Sequence, residues 1–138
     1  MKIVLISCVS KKLSHKAKSK DLYTSPLFKF NLKYAKSLKP DKIFILSAKY
    51  GLVSLDQELE PYDKTLNKMN KKERVVWATR VLAQLKEKSN LEKDHFIFLA
   101  GSKYRENLLP KIKHYEIPLE GLSIGRQLKF LKEKIENE

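Results

Sequence analysis

The sequence predicts a single α/β domain, with three α/β/α layers built on a mostly parallel, four-stranded sheet. Three observations lead there. The apolar residues gather in short continuous runs, as strands buried on both faces require. Segments of helical periodicity separate those runs. The returns between them are short, which is the pattern of the parallel crossover unit. With 138 residues, the chain can build one hydrophobic core, and residues 1–138 are read as one domain.

Residues 1–9 (MKIVLISCV) form the first buried strand. Between Ser10 and Lys20 five lysines (Lys11, Lys12, Lys16, Lys18 and Lys20) stand among Ser and His with no apolar period, so a solvated basic loop is expected. Ser25-Pro26 starts a helix, the hydroxyl capping free amides and the proline supplying a helical φ at the first position. Leu27, Phe28, Tyr34, Ala35 and Leu38 give that helix its apolar face, and Pro40 ends it. Residues 42–48 (KIFILSA) are the second strand.

Lys49 to Lys68, with Gly51, Pro61 and scattered carboxylates, has no sustained period. It reads as a long loop, and loops of that length in small domains are usually functional. Asn70 and Glu73 form a capping-box pattern. Val75, Ala78, Leu82 and Leu85 then trace one helical face, with Trp77 beside it. Residues 95–100 (HFIFLA) are the third strand, after which Ser102 is expected to cap a helix with Tyr104, Leu108, Leu109 and Ile112 inward. Tyr115 to Leu119 is a weaker fourth strand, and Ser123 caps a last helix with Ile124, Leu128, Leu131 and Ile135 on one face.

Composition narrows the chemistry. Lys plus Arg number 29 against 16 Asp plus Glu, a formal net charge of +13, and a field of that sign attracts polyanions. A lysine-rich composition can also follow from genome base composition alone. No apolar run is long enough to span a bilayer, and the opening segment is too short and lacks the basic lead-in of a signal peptide. A cytoplasmic protein without membrane contact is therefore expected. The lone Cys8 has no disulfide partner, and His15, His95 and His114 lack metal-ligand spacing, so neither a metal nor a cofactor is expected. Walker and GxGxxG patterns are absent, which removes the main sequence support for ATPase or dinucleotide chemistry.

Ligands of open parallel sheets bind beyond the carboxyl ends of the strands. Those ends carry Ser7, Cys8, Lys11 and Lys12; then Ser47, Lys49, Tyr50 and Gly51; then Gly101, Ser102 and Tyr104; then Gly121, Ser123, Gly125 and Arg126. Small residues let a ligand approach backbone amides, and cations balance phosphate. Any one of these residues alone is an ordinary turn or cap. Gly125, in the first turn of a helix, leaves room either for a ligand or for local packing. Asp56 and Asp63 are the best-placed acids, in the long loop near Tyr50 and Tyr62, although each taken singly is a solvated loop charge.

The string Ile45-Leu46-Ser47-Ala48-Lys49-Tyr50-Gly51-Leu52-Val53 resembles a segment of the YaaA peroxide-stress family, and Leu99-Ala100-Gly101-Ser102-Lys103-Tyr104 resembles that family's later strand-end motif. Ser7-Cys8 with Lys11-Lys12, Leu22-Tyr23-x-Ser25-x-x-Phe28, Ser47 to Gly51 and Pro61-Tyr62-Asp63 are similar, over nearly the whole chain, to a group of small bacterial and phage domains. That group resembles the uracil-DNA-glycosylase-like domain of archaeosine synthase, although Phe28 stands here where that series ends in histidine. The resemblance implies a glycosylase-like α/β domain directed at nucleic acid. It implies a site at Ser47, Lys49, Tyr50 and Gly51, with Ser7, Cys8, Tyr23 and Ser25 as neighbours.

The leading expectation is hydrolysis of the N-glycosidic bond of a modified or damaged base, with DNA favoured over RNA and a monomer or weak homodimer as the working unit. Tyr50 or Tyr62 would stack the extruded base, Asp63 or Asp56 would position water, and Lys11, Lys12, Lys49 and Arg126 would hold phosphates, with Gly125 at the same phosphate site. A non-catalytic DNA-binding protein and an enzyme for free nucleotides or nucleosides are the alternatives.

Overall fold

The computed structural model describes residues 1–7 and 11–136. Strand β1 (Lys2–Ser7) leads to a short strand β2 (Ala17–Lys18), helix α1 (Ser19–Leu22) and helix α2 (Pro26–Ser37). Strand β3 (Lys42–Ser47), strand β4 (Gly51–Ser54) and short strand β5 (Glu58–Leu59) precede helix α3 (Lys71–Lys88). Strand β6 (His95–Leu99), helix α4 (Ser102–Arg105), strand β7 (His114–Glu116) and helix α5 (Ile124–Glu136) complete the chain, with single 3-10 turns at Leu66–Lys68 and Leu109–Lys111.

The main sheet has five strands in the order β4-β3-β1-β6-β7. β1 lies parallel to β3 (Val4 opposite Ile43) and to β6 (Val4 opposite Ile97), and β7 runs parallel to β6. β4 is antiparallel to β3, with Ser47 opposite Gly51. The α/β class stands, and the expected mostly parallel four-stranded sheet is corrected to a mixed five-stranded one. The missed strand lies in the stretch read as a loop. Tight reversal at Lys49-Tyr50 is possible because Gly51 takes φ +76°, a backbone region costly for other residues. Arg80 of α3 donates to the carbonyls of Lys49 and Tyr50 (both 2.9 Å), and the Gln84 side chain accepts from Leu52 N at 2.8 Å. Helix side chains thus satisfy polar groups at the reversal and along an edge strand.

Alternate residues of β1 enter opposite cores. Ile3 and Leu5 pack with Phe44, Leu46, Phe96 and Phe98 against Trp77, Ala78, Val81 and Leu85 of α3. Val4 and Ile6 pack with Ile45, Ile97 and Leu99 against Phe28 and Ala35 of α2 and Leu131 of α5. Helices therefore cover both faces. The α3 face is rotated from the expected one, with Val75 44% exposed and Trp77 buried. Trp77 accounts for the rotation, since its Nε1 donates to Ser47 O at 2.9 Å and its ring meets Tyr104. Ile124 is likewise exposed, not inward. The helix expected after Ser102 ends at Arg105, gives way to the 3-10 turn containing Pro110, and has Gly101 in place of Ser102 at its cap, without a side-chain cap bond.

The basic loop is also more ordered than its composition predicts. β2 pairs antiparallel with β5, and Lys12 bridges to Tyr23. Lys16 pairs with Glu58 (3.5 Å), while Lys18 and Lys20 reach Asp56 (3.9 and 3.3 Å). The lysine-rich and carboxylate-bearing stretches, far apart in sequence, dock on one another.

Candidate functional site

The helices α2 and α4, which follow β1 and β6 along the chain, lie on opposite faces of the sheet. A gap therefore opens between the carboxyl ends of these adjacent strands, as at the switch point of an open α/β sheet. A cavity of about 560 Å³ occupies it, a volume in the range that takes a small organic ligand. Ser7 closes β1 on one side, and Ala100, Gly101 and Ser102 follow β6 on the other. Gly101 N donates to Ser7 Oγ at 3.1 Å, tying the strand ends together. Leu119, Leu122, Ile124 and Leu128 make an apolar wall, with Asn67, Arg105 and Gln127 as polar members.

α2 supplies the remaining wall through Ser25, Phe28 and Asn31. Ser25 is the cap the sequence predicts, its Oγ accepting from Phe28 N at 3.2 Å. Phe28 and Asn31 both point inward one turn apart, and Asn31 is only 3% exposed. Its Oδ1 is buried and has no hydrogen-bond partner among the described residues. Leaving such an acceptor unpaired costs about 1–3 kcal/mol, a cost that a ligand donating to it would remove.

A second constellation lies beside the first, beyond β3. Ser47 is fully buried, and its hydroxyl donates to Tyr62 Oη at 2.9 Å while accepting from Tyr50 N at 3.0 Å. Tyr62 is hydrogen-bonded to Tyr23 Oη at 2.6 Å. The Tyr50 and Tyr62 rings meet edge to face at 5.7 Å, and Tyr23 packs on Phe28 at 5.2 Å. Lys12 Nζ stands 4.5 Å from the Tyr62 ring centroid, and Lys49 Nζ is 5.3 Å from that of Tyr50. Cations over ring faces are favourable contacts, so these lysines are held against the aromatic cluster.

The residues singled out in the sequence separate between these regions. Ser7, Ser25, Gly101, Ser102 and Tyr104 line the cavity. Tyr104 Oη also receives Leu66 N at 3.4 Å. Ser47, Tyr50, Tyr62, Tyr23, Lys12 and Lys49 form the aromatic cluster. Gly51 serves the β3–β4 reversal, where an added Cβ would strike the Gln84 side chain. Asp56 sits 75% exposed in its ion pairs, and Asp63 is exposed in the strand-free segment after Tyr62. Lys11 and Arg126 are exposed, and Gly125 has open space around it, so local packing does not explain that glycine. Cys8 lies outside the described residues.

Asn31, Asn67, Arg105 and Gln127 escaped the sequence reading. Asn31 alone carried a signal: position 31 lies three residues after Phe28 and four before Ala35, so it is an amide on an apolar helical face. The other three come from separate segments that only the fold assembles.

The model of a family of unknown function, DUF6884, matches residues 3–133. The chain belongs to this family. The match to DUF6884 spans both constellations, from β1 to α5. No curated protein and no solved structure matches this DUF6884 chain. Among its described residues no group of three His, Cys, Asp or Glu side chains is placed to hold a metal, and no helix is long and apolar enough to cross a membrane.

Proposed function

We propose that this domain acts on nucleic acid, in the glycosylase-like manner its motifs resemble, by receiving one extruded nucleobase in the cavity between β1 and β6. The observation that carries the reading is Asn31, a buried amide with an unpaired acceptor in a mainly apolar cavity of suitable size. A nucleobase offers flat apolar faces and a polar edge, the combination such a cavity accepts. Extrusion costs unstacking energy of a few kcal/mol, which pocket contacts must offset. The net charge of +13 supplies sequence-independent attraction for the phosphates.

The proposed reaction is hydrolysis of the N-glycosidic bond. Water oxygen bonds to the anomeric carbon, the carbon–nitrogen bond breaks, and the base departs with the electron pair and takes a proton from solvent, while the proton released by water passes through Asp63 to solvent. Asp63 is the proposed acceptor of the water proton, because the segment after it leads within four residues to Asn67 at the cavity. The proposed partner is DNA in preference to RNA, with no cofactor.

One observation favours a second reading, base recognition without catalysis. No Asp or Glu is among the described residues that line the cavity. The deciding experiment is incubation with oligonucleotides that each carry one normal or modified base, with mass spectrometry for released base. Release lost in Asp63→Asn supports hydrolysis. Base-dependent binding without release, lost in Asn31→Ala, supports recognition alone, and binding indifferent to both base and Asn31 overturns the cavity assignment.

A further inference from the structure

We propose that the outward face of α2 is the track for the sugar–phosphate backbone of a single strand flanking the cavity, an inference that rests on the nucleic-acid reading above. α2 carries Lys29, Lys33 and Lys36 at helical spacing and has no acidic residue in Pro26–Ser37. These lysines and Lys20 border a groove of about 450 Å³ with Phe30 and Leu32.

The position of this face beside the cavity separates it from an ordinary solvated lysine surface. Among the described residues none of the three α2 lysines has an ion-pair partner, a state they share with most lysines of the chain, whereas Lys16, Lys18 and Lys20 each have one. The groove adjoins the cavity, because Pro26 and Phe28 belong to the walls of both. A strand lying along the groove would deliver its next base over the α2 N-terminus toward Asn31.

Phe30 and Leu32 favour a single strand. Proteins that hold unpaired strands combine a cationic groove with apolar or aromatic surface for exposed bases, and both elements occur here in one concavity. A duplex keeps its bases inside and has no use for that surface.

The test is fluorescence anisotropy across a salt series, with a labelled single-stranded oligothymidylate and a duplex of equal length. The variant Lys29→Gln/Lys33→Gln/Lys36→Gln is compared with Lys86→Gln/Lys93→Gln/Lys113→Gln, which removes the same charge from exposed positions near the amino ends of the strands. With about 0.7 of salt slope per phosphate contact on a single strand, the α2 variant should lose about 2 and the control much less. Equal losses in the two variants, no loss in the α2 variant, or a wild-type preference for duplex would overturn the proposal. An Asn31→Ala arm keeps the two ideas apart. If it changes no binding while the α2 variant loses slope, the cavity reading fails and the track stands. If base-dependent binding survives the α2 changes with its slope intact, the track fails alone.

Discussion

Ser47 and Asn31 are both buried polar side chains near the carboxyl ends of the central strands, yet their surroundings differ. Ser47 both donates and accepts, joined to Tyr62 and through it to Tyr23. Asn31 has a buried acceptor with nothing to receive among the described residues. The first region is a closed network that stabilises the junction of β3, β4 and the segment around Tyr62. The second is open and mainly apolar, the state expected of a wall that meets a ligand. The difference teaches that the side chains most recognisable in sequence need not be the ones left available for binding.

Phe28 separates the two regions, packing on Tyr23 and lining the cavity, and its removal should have the largest effect. Phe28→Ala is expected to cost about 3–5 kcal/mol in urea unfolding. Loss below 1 kcal/mol would mean that the regions are not joined through this ring. Gly51→Ala should follow, at about 2 kcal/mol, because the substitution combines a positive φ with collision against Gln84. Base binding should persist in the fraction that remains folded, which a binding titration checks.

Asp94 gives a contrast remote from both regions. The amino terminus donates to its carboxylate, followed in weight by Asn90 N, and these bonds hold its pKa below the ordinary carboxylate value despite opposing desolvation. A carboxyl lowered in the folded state contributes stability above its unfolded pKa, and that contribution is lost as pH falls through the folded value. Thermal unfolding from pH 6 downward should therefore show a decline in Tm beginning near the usual carboxylate range. Asp94→Asn should lower Tm at pH 6 by a few degrees and flatten this decline, leaving ligand affinity at pH 6 unchanged.

The smallest stability changes discriminate most directly between closed and open. Tyr62→Phe deletes the hydroxyl shared by Ser47 and Tyr23 and should cost about 1 kcal/mol with little effect on base binding. Asn31→Leu removes the unpaired acceptor at similar volume and should be near neutral, or slightly stabilising, while abolishing base-dependent binding. Equal destabilisation by the two substitutions would show that Asn31 is as well satisfied as Ser47.

Much of the scaffold was legible because its signals are local. Ser25-Pro26 caps α2 as the sequence predicts, and Asn70 and Glu73 form the reciprocal capping box of α3. The cores of β1, β3 and β6 show as apolar runs because strands covered on both faces have no polar side. β4 was hidden because a four-residue edge strand carries little periodicity, and its reversal depends on Arg80 and Gln84, which lie about thirty residues on. The short α4 could have been anticipated from Pro110.

For the site, residue chemistry and position along each strand were readable, and the general location beyond the strand ends followed from the parallel crossover pattern. The partition was not. Whether a serine or tyrosine faces a cavity or bonds to another side chain depends on distances between segments far apart in sequence. The same reason explains Asp56, whose lysine partners lie more than thirty residues earlier. By itself the sequence determined the α/β class, the two principal helix starts, the three central strands and the positive charge. Tertiary structure decided which hydroxyls are mutually satisfied, which loops neutralise one another and where an unpaired amide borders empty space, because hydrogen bonds and cavities are set by packing between distant segments.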